Sequence, residues 1–295
     1  PLSAVKGTGS TVYWDFLAPE SSRIVATLDV GGSRSHWHSG LYGIYARKYT
    51  HKYDDGNGAA HFNFLSKETA ILASNHNGLS GNVAAIRLEE GGSVSFWGQD
   101  ELRADPALGM ADTGLGVRKV SIAASNEYGG ASGNVYGILN TRGDIHLGAD
   151  TTRIEVFNKG VNRDGVAIGK DTVDIASHAI GIFNSGGVLE NRSDLVIATG
   201  NAAVRQENGT GDGETVSTGE GVTVGLFNAR YADQSEKPGF GSRGSRVDST
   251  GSVTMDLQAK NEVFGLMQTH EETFSSFAGE TRISASSTDA GAYGV

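Results

Sequence analysis

A short phrase recurs along the chain and constrains its fold more than any other feature of the sequence. Each copy consists of an aromatic or aliphatic residue, a small residue and an aliphatic residue. The copies are Tyr42-Gly43-Ile44, Ala84-Ala85-Ile86, Tyr136-Gly137-Ile138, Ile180-Gly181-Ile182, Val224-Gly225-Leu226, Phe264-Gly265-Leu266 and Tyr293-Gly294-Val295. Counted between their central residues, the steps are 42, 52, 44, 44, 40 and 29. Such self-similarity predicts a repeat architecture.

A weaker copy, Ala202-Ala203-Val204, lies midway between Gly181 and Gly225. We therefore predict a basic unit of about 22 residues, with the stronger copies on every second unit. Each unit is typical of strands rather than helices, because apolar residues alternate over short runs that Gly, Asn, Asp or Ser interrupt. Examples of this alternation are the segments 120–125, 152–157, 172–177, 252–257 and 281–286.

Three short strands in one unit predict one coil of a parallel β-helix. A single coil cannot bury its own apolar face, whereas stacked coils bury a continuous core. The small residue before Ile or Leu fits a narrow corner, where a larger side chain would clash. Asn140, Asn184 and Asn228 each follow a repeat glycine by three positions. These amides either stack as a hydrogen-bonded ladder or tolerate a left-handed turn, and we expect a mixture of both, without a functional role.

The repeat phrase is missing from the beginning of the chain and is interrupted elsewhere. We assign residues 1–40 to an N-terminal cap, which a solenoid needs on its terminal coil, and residues 41–295 to the β-helix. Longer interruptions are predicted to be loop excursions on one face; they comprise residues 47–63, 97–118 and 229–247. A helical stretch is expected only at residues 99–112, where Pro106 interrupts it.

Composition supports this architecture and excludes several classes of function. The chain of 295 residues has 43 glycines, 4 prolines, no cysteine and a net charge of −10. Without cysteine there is no disulfide and no zinc–thiolate site, and the acidic balance argues against nucleic acid as a partner. No apolar run reaches the ~20 residues of a membrane helix. We expect no cofactor and no metal, because His36 and His38 lack a third ligand at suitable spacing.

The repeated phrase resembles that of passenger domains of type V autotransporters from Gram-negative bacteria. The resemblance rests on residues 135–140 and 180–187, which follow the pattern YGI-N-x-GG-x-I-x-I in part, and it extends over roughly residues 40–295. It implies an all-β fold, namely a single-stranded right-handed parallel β-helix. It also implies export through the periplasm to the cell surface or the medium, with membrane attachment only through a C-terminal β-barrel. That barrel would follow Val295, so we interpret the chain as a fragment cut inside the rod.

The resemblance to this family also implies a function as an adhesin or a self-associating scaffold. The expected partner is then a host extracellular protein, a glycan or a second copy of the chain. We place binding on the excursions, beginning with Tyr45, Tyr49 and Tyr53, which alternate with basic residues in the segment 45–55. Tyrosine combines an apolar ring with a polar tip, which suits the recognition of sugars or proteins.

A second candidate binding site is the tripeptide formed by Arg142, Gly143 and Asp144. It lies in a predicted turn between two strands and resembles the integrin-binding motif of some adhesins. Such a tripeptide also arises by chance in a glycine-rich chain, and a glycine suits this turn without any binding role.

Catalysis is the alternative function, because parallel β-helices also include glycosidases and tailspike-like depolymerases. Such enzymes need clustered carboxylates on one flank. Asp144 and Asp194 lie at different distances from their repeat glycines and therefore do not stack. The G-x-S-x-G motif of serine hydrolases is absent,, and we expect that the protein is not an enzyme.

Residues 165–182 resemble the short repeats of trimeric autotransporter heads, but that phrase does not continue elsewhere.

Overall fold

Three parallel β-sheets form the body of the protein in the computed structural model. The chain passes through the three sheets in turn, and we name them A, B and C in the order in which it enters them. In each sheet the strands follow one another in sequence order, which is the strand order of a parallel β-solenoid. The structure describes residues 2–7, 12–28, 38–47, 59–76, 80–104, 114–127, 133–159, 178–201, 207–209, 215–217, 222–231, 244–259, 262–269, 271–288 and 290–295.

The strands of each sheet are as follows. Sheet A consists of β1 (Leu2–Gly7), β4 (His38–Arg47), β7 (Ser80–Glu89), β10 (Val135–Thr141), β13 (Ala179–Ser185), β18 (Thr223–Ala229), β21 (Val263–Thr269) and β24 (Ala292–Tyr293). Sheet B consists of β2 (Val12–Phe16), β5 (Ala60–Phe64), β8 (Ser93–Phe96), β11 (Asp144–Leu147), β14 (Val188–Asn191), β19 (Arg246–Ser249) and β22 (Phe274–Phe277). Sheet C consists of β3 (Ser21–Leu28), β6 (Glu68–Asn75), β9 (Lys119–Asn126), β12 (Thr151–Asn158), β15 (Asp194–Asn201), β20 (Val253–Ala259) and β23 (Thr281–Ser287). A short antiparallel pair, β16 (Glu207–Gly209) and β17 (Thr215–Ser217), lies between β15 and β18 in the sequence.

One coil comprises three strands, one from each sheet, and is longer than the sequence analysis predicts. Val135 of β10 pairs with Ala179 of β13, which is one full copy of the repeat further along the chain. The predicted half-length coil of about 22 residues is therefore wrong. The shortest coil runs from Arg246 of β19 to its register partner Phe274 of β22, and insertions lengthen the others. Each strong copy of the repeat phrase marks one complete coil, and the half-step copy at 202–204 lies outside the described residues.

The core consists of side chains in register on successive coils. Ile71, Ile122, Ile154 and Ile197 occupy one row across sheet C, and all are buried. The inner strands of sheet C alternate regularly between buried and more exposed positions, because only one face of the sheet meets the core,. The predicted all-β fold is thus confirmed, as is the alternation of the segments 120–125, 152–157, 252–257 and 281–286, whereas the segment 172–177 lies outside the described residues.

The small residue of the repeat phrase lies where sheet A packs closely against sheet C. A Cβ atom at Gly137 would lie 2.6 Å from the carbonyl oxygen of Gly181 and would also strike Ile154. Gly181 and Gly225 have similar surroundings on the next coils. The predicted clash of a larger side chain at this position is confirmed, and its partners are a backbone carbonyl and a core side chain of sheet C.

The predicted asparagine ladder exists and is fully buried. Asn140 donates a hydrogen bond through Nδ2 to Oδ1 of Asn184 at 2.8 Å, and Asn184 donates to Asn228 at 3.1 Å. The left-handed alternative is wrong for these residues; positive φ angles occur instead at Glu90 and Arg142, in the turns from sheet A to sheet B.

A second ladder, which the sequence analysis does not predict, ends the strands of sheet C. Asn75 donates to Asn126 at 3.0 Å, and Asn126 donates to Asn158 at 3.1 Å. All three side chains are buried. Amide ladders therefore satisfy buried polar groups at two corners of the solenoid.

Sheet A carries an apolar layer on its outer face as well. Leu41 and Ile44 point into the core, whereas the rings of Tyr42 and Tyr45 point away from it. Arg87 on the next strand places its guanidinium 4.8 Å from the centroid of the Tyr42 ring and 5.4 Å from that of Tyr45. The buried members of this outer cluster are Tyr42, Tyr45, Ala84, Tyr136, Leu139, Ile180 and Val224.

The bounds of two predicted interruptions need correction. The excursion predicted at 47–63 begins within β4, which continues to Arg47, and ends within β5 (Ala60–Phe64). The excursion predicted at 229–247 overlaps the last residue of β18 and the first two residues of β19, and residues 232–243 lie outside the described ranges. Helix α1 (Gln99–Ala104) lies within the interruption at 97–118 and begins the predicted helical stretch, whereas residues 105–113 lie outside the described ranges.

The beginning of the chain contributes to all three sheets. Strands β1, β2 and β3 pair in parallel with β4, β5 and β6. The assignment of residues 1–40 to a cap stays a prediction.

Within the described ranges, no helix is long and apolar enough to cross a membrane.

Candidate functional site: the outer groove of sheet C

Tyr45 occupies a different environment from the one that the sequence predicts. It belongs to strand β4 rather than to a loop, and only 5% of the residue is exposed. Its hydroxyl donates a hydrogen bond to Glu89 at 2.9 Å, and its ring packs against Tyr42 and Arg87. The prediction of an exposed loop position is wrong for Tyr45, because the strand continues through Arg47. Tyr49 and Tyr53 lie outside the described residues.

The Arg-Gly-Asp tripeptide occupies a turn, as predicted, between β10 and β11. The Arg142 guanidinium binds Glu90 and lies 4.4 Å from the centroid of the Tyr231 ring. Gly143 is buried, and its amide donates to the Asn140 side chain at 2.9 Å. The Asp144 side chain is exposed at the start of β11. Since Arg142 is engaged by its neighbours, this geometry does not favour receptor binding, which stays a prediction for the tripeptide.

A different surface combines exposed aromatic and acidic groups. It is a shallow groove of about 430 Å³ on the outer face of sheet C, across strands β9, β12, β15 and β20. Phe157 is 42% exposed at its centre. Its register partners are Ser125 on one side and Gly200 on the other, so small residues flank the ring. A Cβ atom at Gly200 would lie 3.4 Å from Cδ2 of Phe157, which places the edge of the ring beside β15.

Carboxyl and amide groups flank the aromatic ring of the groove. Glu155, Ala198 and Asp256 form one row across three strands, and Phe157, Gly200 and Gln258 form the parallel row. Glu155 accepts a hydrogen bond from Arg153 at 2.7 Å. The exposed side chains of Asp256 and Gln258 form no hydrogen bond or ion pair with any other residue that the structure describes. They are therefore available to a ligand.

The groove is held rigidly because its residues alternate with core residues. Ile154 and Val156 flank Glu155 in the sequence and are buried, and Met255 and Leu257 do the same for Asp256. Sites on regular strands hold their side chains more precisely than sites on loops. The groove can therefore present one aromatic ring and several hydrogen-bonding groups in a fixed arrangement.

A charged cluster on sheet B joins helix α1 to the solenoid. His146 Nε2 lies 2.9 Å from Glu101 Oε2, and Arg192 Nη1 lies 3.0 Å from Glu101 Oε1. Burial raises the pKa of Glu101, but the hydrogen bond and charge of His146, the Gly98 amide and Arg192 outweigh it and lower the pKa overall. The Trp97 ring packs 4.7 Å from the imidazole. These contacts occupy the ionised carboxylate, so the cluster anchors α1.

Neither the groove of sheet C nor the charged cluster on sheet B is predicted from the sequence. The alternation of segments 152–157 and 252–257 places Phe157 and Asp256 on outer faces, but it does not make their strands near neighbours. That proximity depends on the full coil length, which the shorter predicted unit conceals. In the part of the chain that the structure describes, no group of three or more His, Asp or Glu residues is arranged to hold a metal ion.

In comparisons with known proteins, no protein-family model, no characterised protein and no solved structure matches this chain.

Proposed function

We propose that this chain is the passenger of a type V autotransporter, displayed at the surface of a Gram-negative cell or released from it, and that it acts as an adhesin or self-associating scaffold. In this proposal the coils wind in the right-handed sense that parallel crossovers favour. The sequence resemblance and the solenoid topology support the passenger assignment. The groove of sheet C is the single observation that supports binding, because on a rigid face it offers an exposed aromatic ring and two exposed polar groups, Asp256 and Gln258, that have no partner among the described residues.

A glycan-acting enzyme is the second candidate, and the two groove carboxylates favour it. Glu155 and Asp256 stand two strands apart, so their backbones are about 9.6 Å apart, and inverting glycosidases separate their carboxyl groups by about 6.5–9.5 Å. A general acid, however, needs a burial that raises its pKa, and both of these side chains are exposed. We therefore favour binding without catalysis.

Beads coated with the purified chain test the proposal. We expect them to adhere to cultured epithelial cells or to clump with one another, whereas beads coated with heat-unfolded chain do neither. Absence of both adhesion and clumping would contradict the proposed function. Release of reducing sugar ends from a panel of polysaccharides, lost in Glu155→Gln and in Asp256→Asn, would instead establish the enzyme.

A further inference from the structure

We propose that the groove of sheet C binds a neutral glycan, with one sugar ring stacked on Phe157 and its hydroxyl groups bonded to Asp256 and Gln258. This inference rests on the proposed function and names its ligand class and its binding residues.

Phe157 supplies the stacking surface. A phenylalanine ring left 42% exposed on a sheet surface is costly in water and gains from being covered,. The face of an aromatic ring is electronegative and attracts weakly positive C–H groups, which a hexose presents on its less polar face. Ser125 and Gly200 beside Phe157 leave the ring accessible from the groove.

Asp256 and Gln258 supply the polar contacts. They lie two residues apart on the outer face of β20, and neither has a partner among the described residues. A carboxylate accepts hydrogen bonds from hydroxyl groups, and a primary amide both donates and accepts them. Adjacent hydroxyl groups of a sugar can therefore satisfy both side chains at once.

The charge of the groove selects a neutral sugar over an acidic one. Glu155 and Asp256 line the groove, and none of its described lining residues is a lysine or an arginine. The nearby Arg153 is already bound to Glu155 at 2.7 Å. A uronic or sialic acid would place its carboxylate near that of Asp256, which disfavours binding.

The length of the groove suits an oligosaccharide. From β9 to β20 it crosses three strand spacings, or about 14 Å. A pyranose ring is about as long as one strand spacing of about 4.8 Å. The groove therefore accommodates about three consecutive sugar rings, one for each strand spacing that they cross.

Titration with defined trisaccharides tests this inference. The probes are cellotriose and triacetylchitotriose, with trigalacturonic acid as the acidic counterpart, measured by calorimetry and by saturation-transfer NMR on the intact chain. We expect at least one neutral trisaccharide to bind and the acidic one not to bind. Phe157→Ala should weaken binding by about tenfold or more, because the stacking area is lost, and Asp256→Ala should weaken it several-fold.

Two further variants keep the test decisive. Phe274 is another exposed phenylalanine, 55% exposed on sheet B and outside the groove, so Phe274→Ala should bind like the original chain. Gly200→Val places a branched side chain against the Phe157 ring and should weaken binding without removing any core contact.

The possible outcomes separate this inference from the proposed function. Failure of both neutral trisaccharides to bind, preference for the acidic one, or unchanged binding in Phe157→Ala would overturn the inference. If the beads still adhere or clump in that case, the proposed function stands without it. If a neutral trisaccharide binds as expected but the beads neither adhere nor clump, the ligand assignment stands and the adhesive function falls.

Discussion

Sheets A and C belong to the same coils but differ on their outer faces. Ala84 and Val224 point outward from sheet A and are buried, whereas Phe157 and Asp256 point outward from sheet C and are exposed. Both sheets are parallel and both face the same core. The difference therefore lies in how far the outward residues are covered, and it directs the search for a binding surface to sheet C.

The sequence of the strands already reflects this difference. Strand β10 reads VYGILNT and is buried at nearly every position, as expected for a strand packed on both faces,. Strand β12 reads TTRIEVFN and alternates strictly between exposed and buried positions. A long apolar run in this solenoid thus identifies a sheet with two packed faces, and alternation identifies one that is open to solvent.

The largest expected effect comes from one methyl group added to sheet A, and the same group added to sheet C should have little effect. A Cβ atom at Gly181 would lie 2.5 Å from the Gly225 carbonyl oxygen and would strike Ile197, so Gly181→Ala should lose about 3 kcal/mol of unfolding free energy. At Gly200 the added atom meets only the Phe157 ring, and Gly200→Ala should be neutral or stabilising by up to about 1 kcal/mol. Urea denaturation measures both changes, and equal losses would contradict the comparison.

Breaking either asparagine ladder should cost a similar unfolding free energy. Sheets A and C differ on their outer faces, but not at the turns where the two ladders lie. Asn184 donates to Asn228 at 3.1 Å, and Asn126 donates to Asn158 at 3.1 Å. Replacing Asn184 or Asn126 with alanine leaves buried partners unsatisfied and should cost about 2–3 kcal/mol in each case. Asn63, whose amide donates to Asp15 in an exposed hydrogen bond, provides a control, and its alanine variant should lose less than about 1 kcal/mol. In urea denaturation, a loss at only one ladder would show that the corners are not equivalent.

Ion pairs of identical spacing allow a smaller but sharper comparison. Arg87 and Glu89 pair on the outer face of sheet A with side chains 26% and 19% exposed, whereas Arg153 and Glu155 pair on sheet C with 53% and 55% exposed. Double-mutant cycles should give a coupling of about 1–2 kcal/mol for the sheet A pair and below about 0.5 kcal/mol for the sheet C pair. The same coupling in both pairs would mean that the outer face of sheet A is not shielded from water.

Acidification should weaken the sheet A side through His178, which precedes β13. Burial lowers the pKa of this imidazole below its ordinary value of 6.5, and its Nδ1 accepts a hydrogen bond from the Val222 amide at 2.9 Å. The unfolded chain therefore binds the proton more readily, so stability is complete above about pH 6.5 and falls as the pH drops below it, by at most about 1.4 kcal/mol per pH unit for one proton. Urea denaturation across this range should show a shallower slope in His178→Gln, and an unchanged slope would contradict the assignment.

Much of the fold can be predicted because each copy of the repeat is a short, contiguous stretch of the sequence. Gly137 and Gly181 identify the close packing of sheet A against sheet C, and Asn140 and Asn184 identify the ladder at the turn from sheet A to sheet B. The predicted coil length is wrong because the half-step copy at 202–204 suggests a shorter unit. The ladder of Asn75 and its neighbours escapes prediction because these residues follow no repeated tripeptide.

The candidate site is harder to predict than the fold. The sequence suggests a loop at Tyr45 because aromatic and basic residues alternate there, although β4 continues through that segment. The proximity of Phe157 and Asp256 depends on which strands are neighbours, and that is a property of coil length rather than of local sequence. Local patterns therefore predict which face a residue occupies, but not which distant residues share a groove with it.

The burial of the two outer faces can be measured directly, because the chain has no cysteine of its own. Ala84 and Ala198 point outward from sheets A and C, so Ala84→Cys and Ala198→Cys each introduce one thiol on one face. We predict that a maleimide reagent labels the thiol at position 198 at least about a hundred times faster than the thiol at position 84 in the folded chain, since the latter reacts only after local opening. Equal labelling rates would show that the outer face of sheet A is open to solvent and would contradict the distinction between the two sheets.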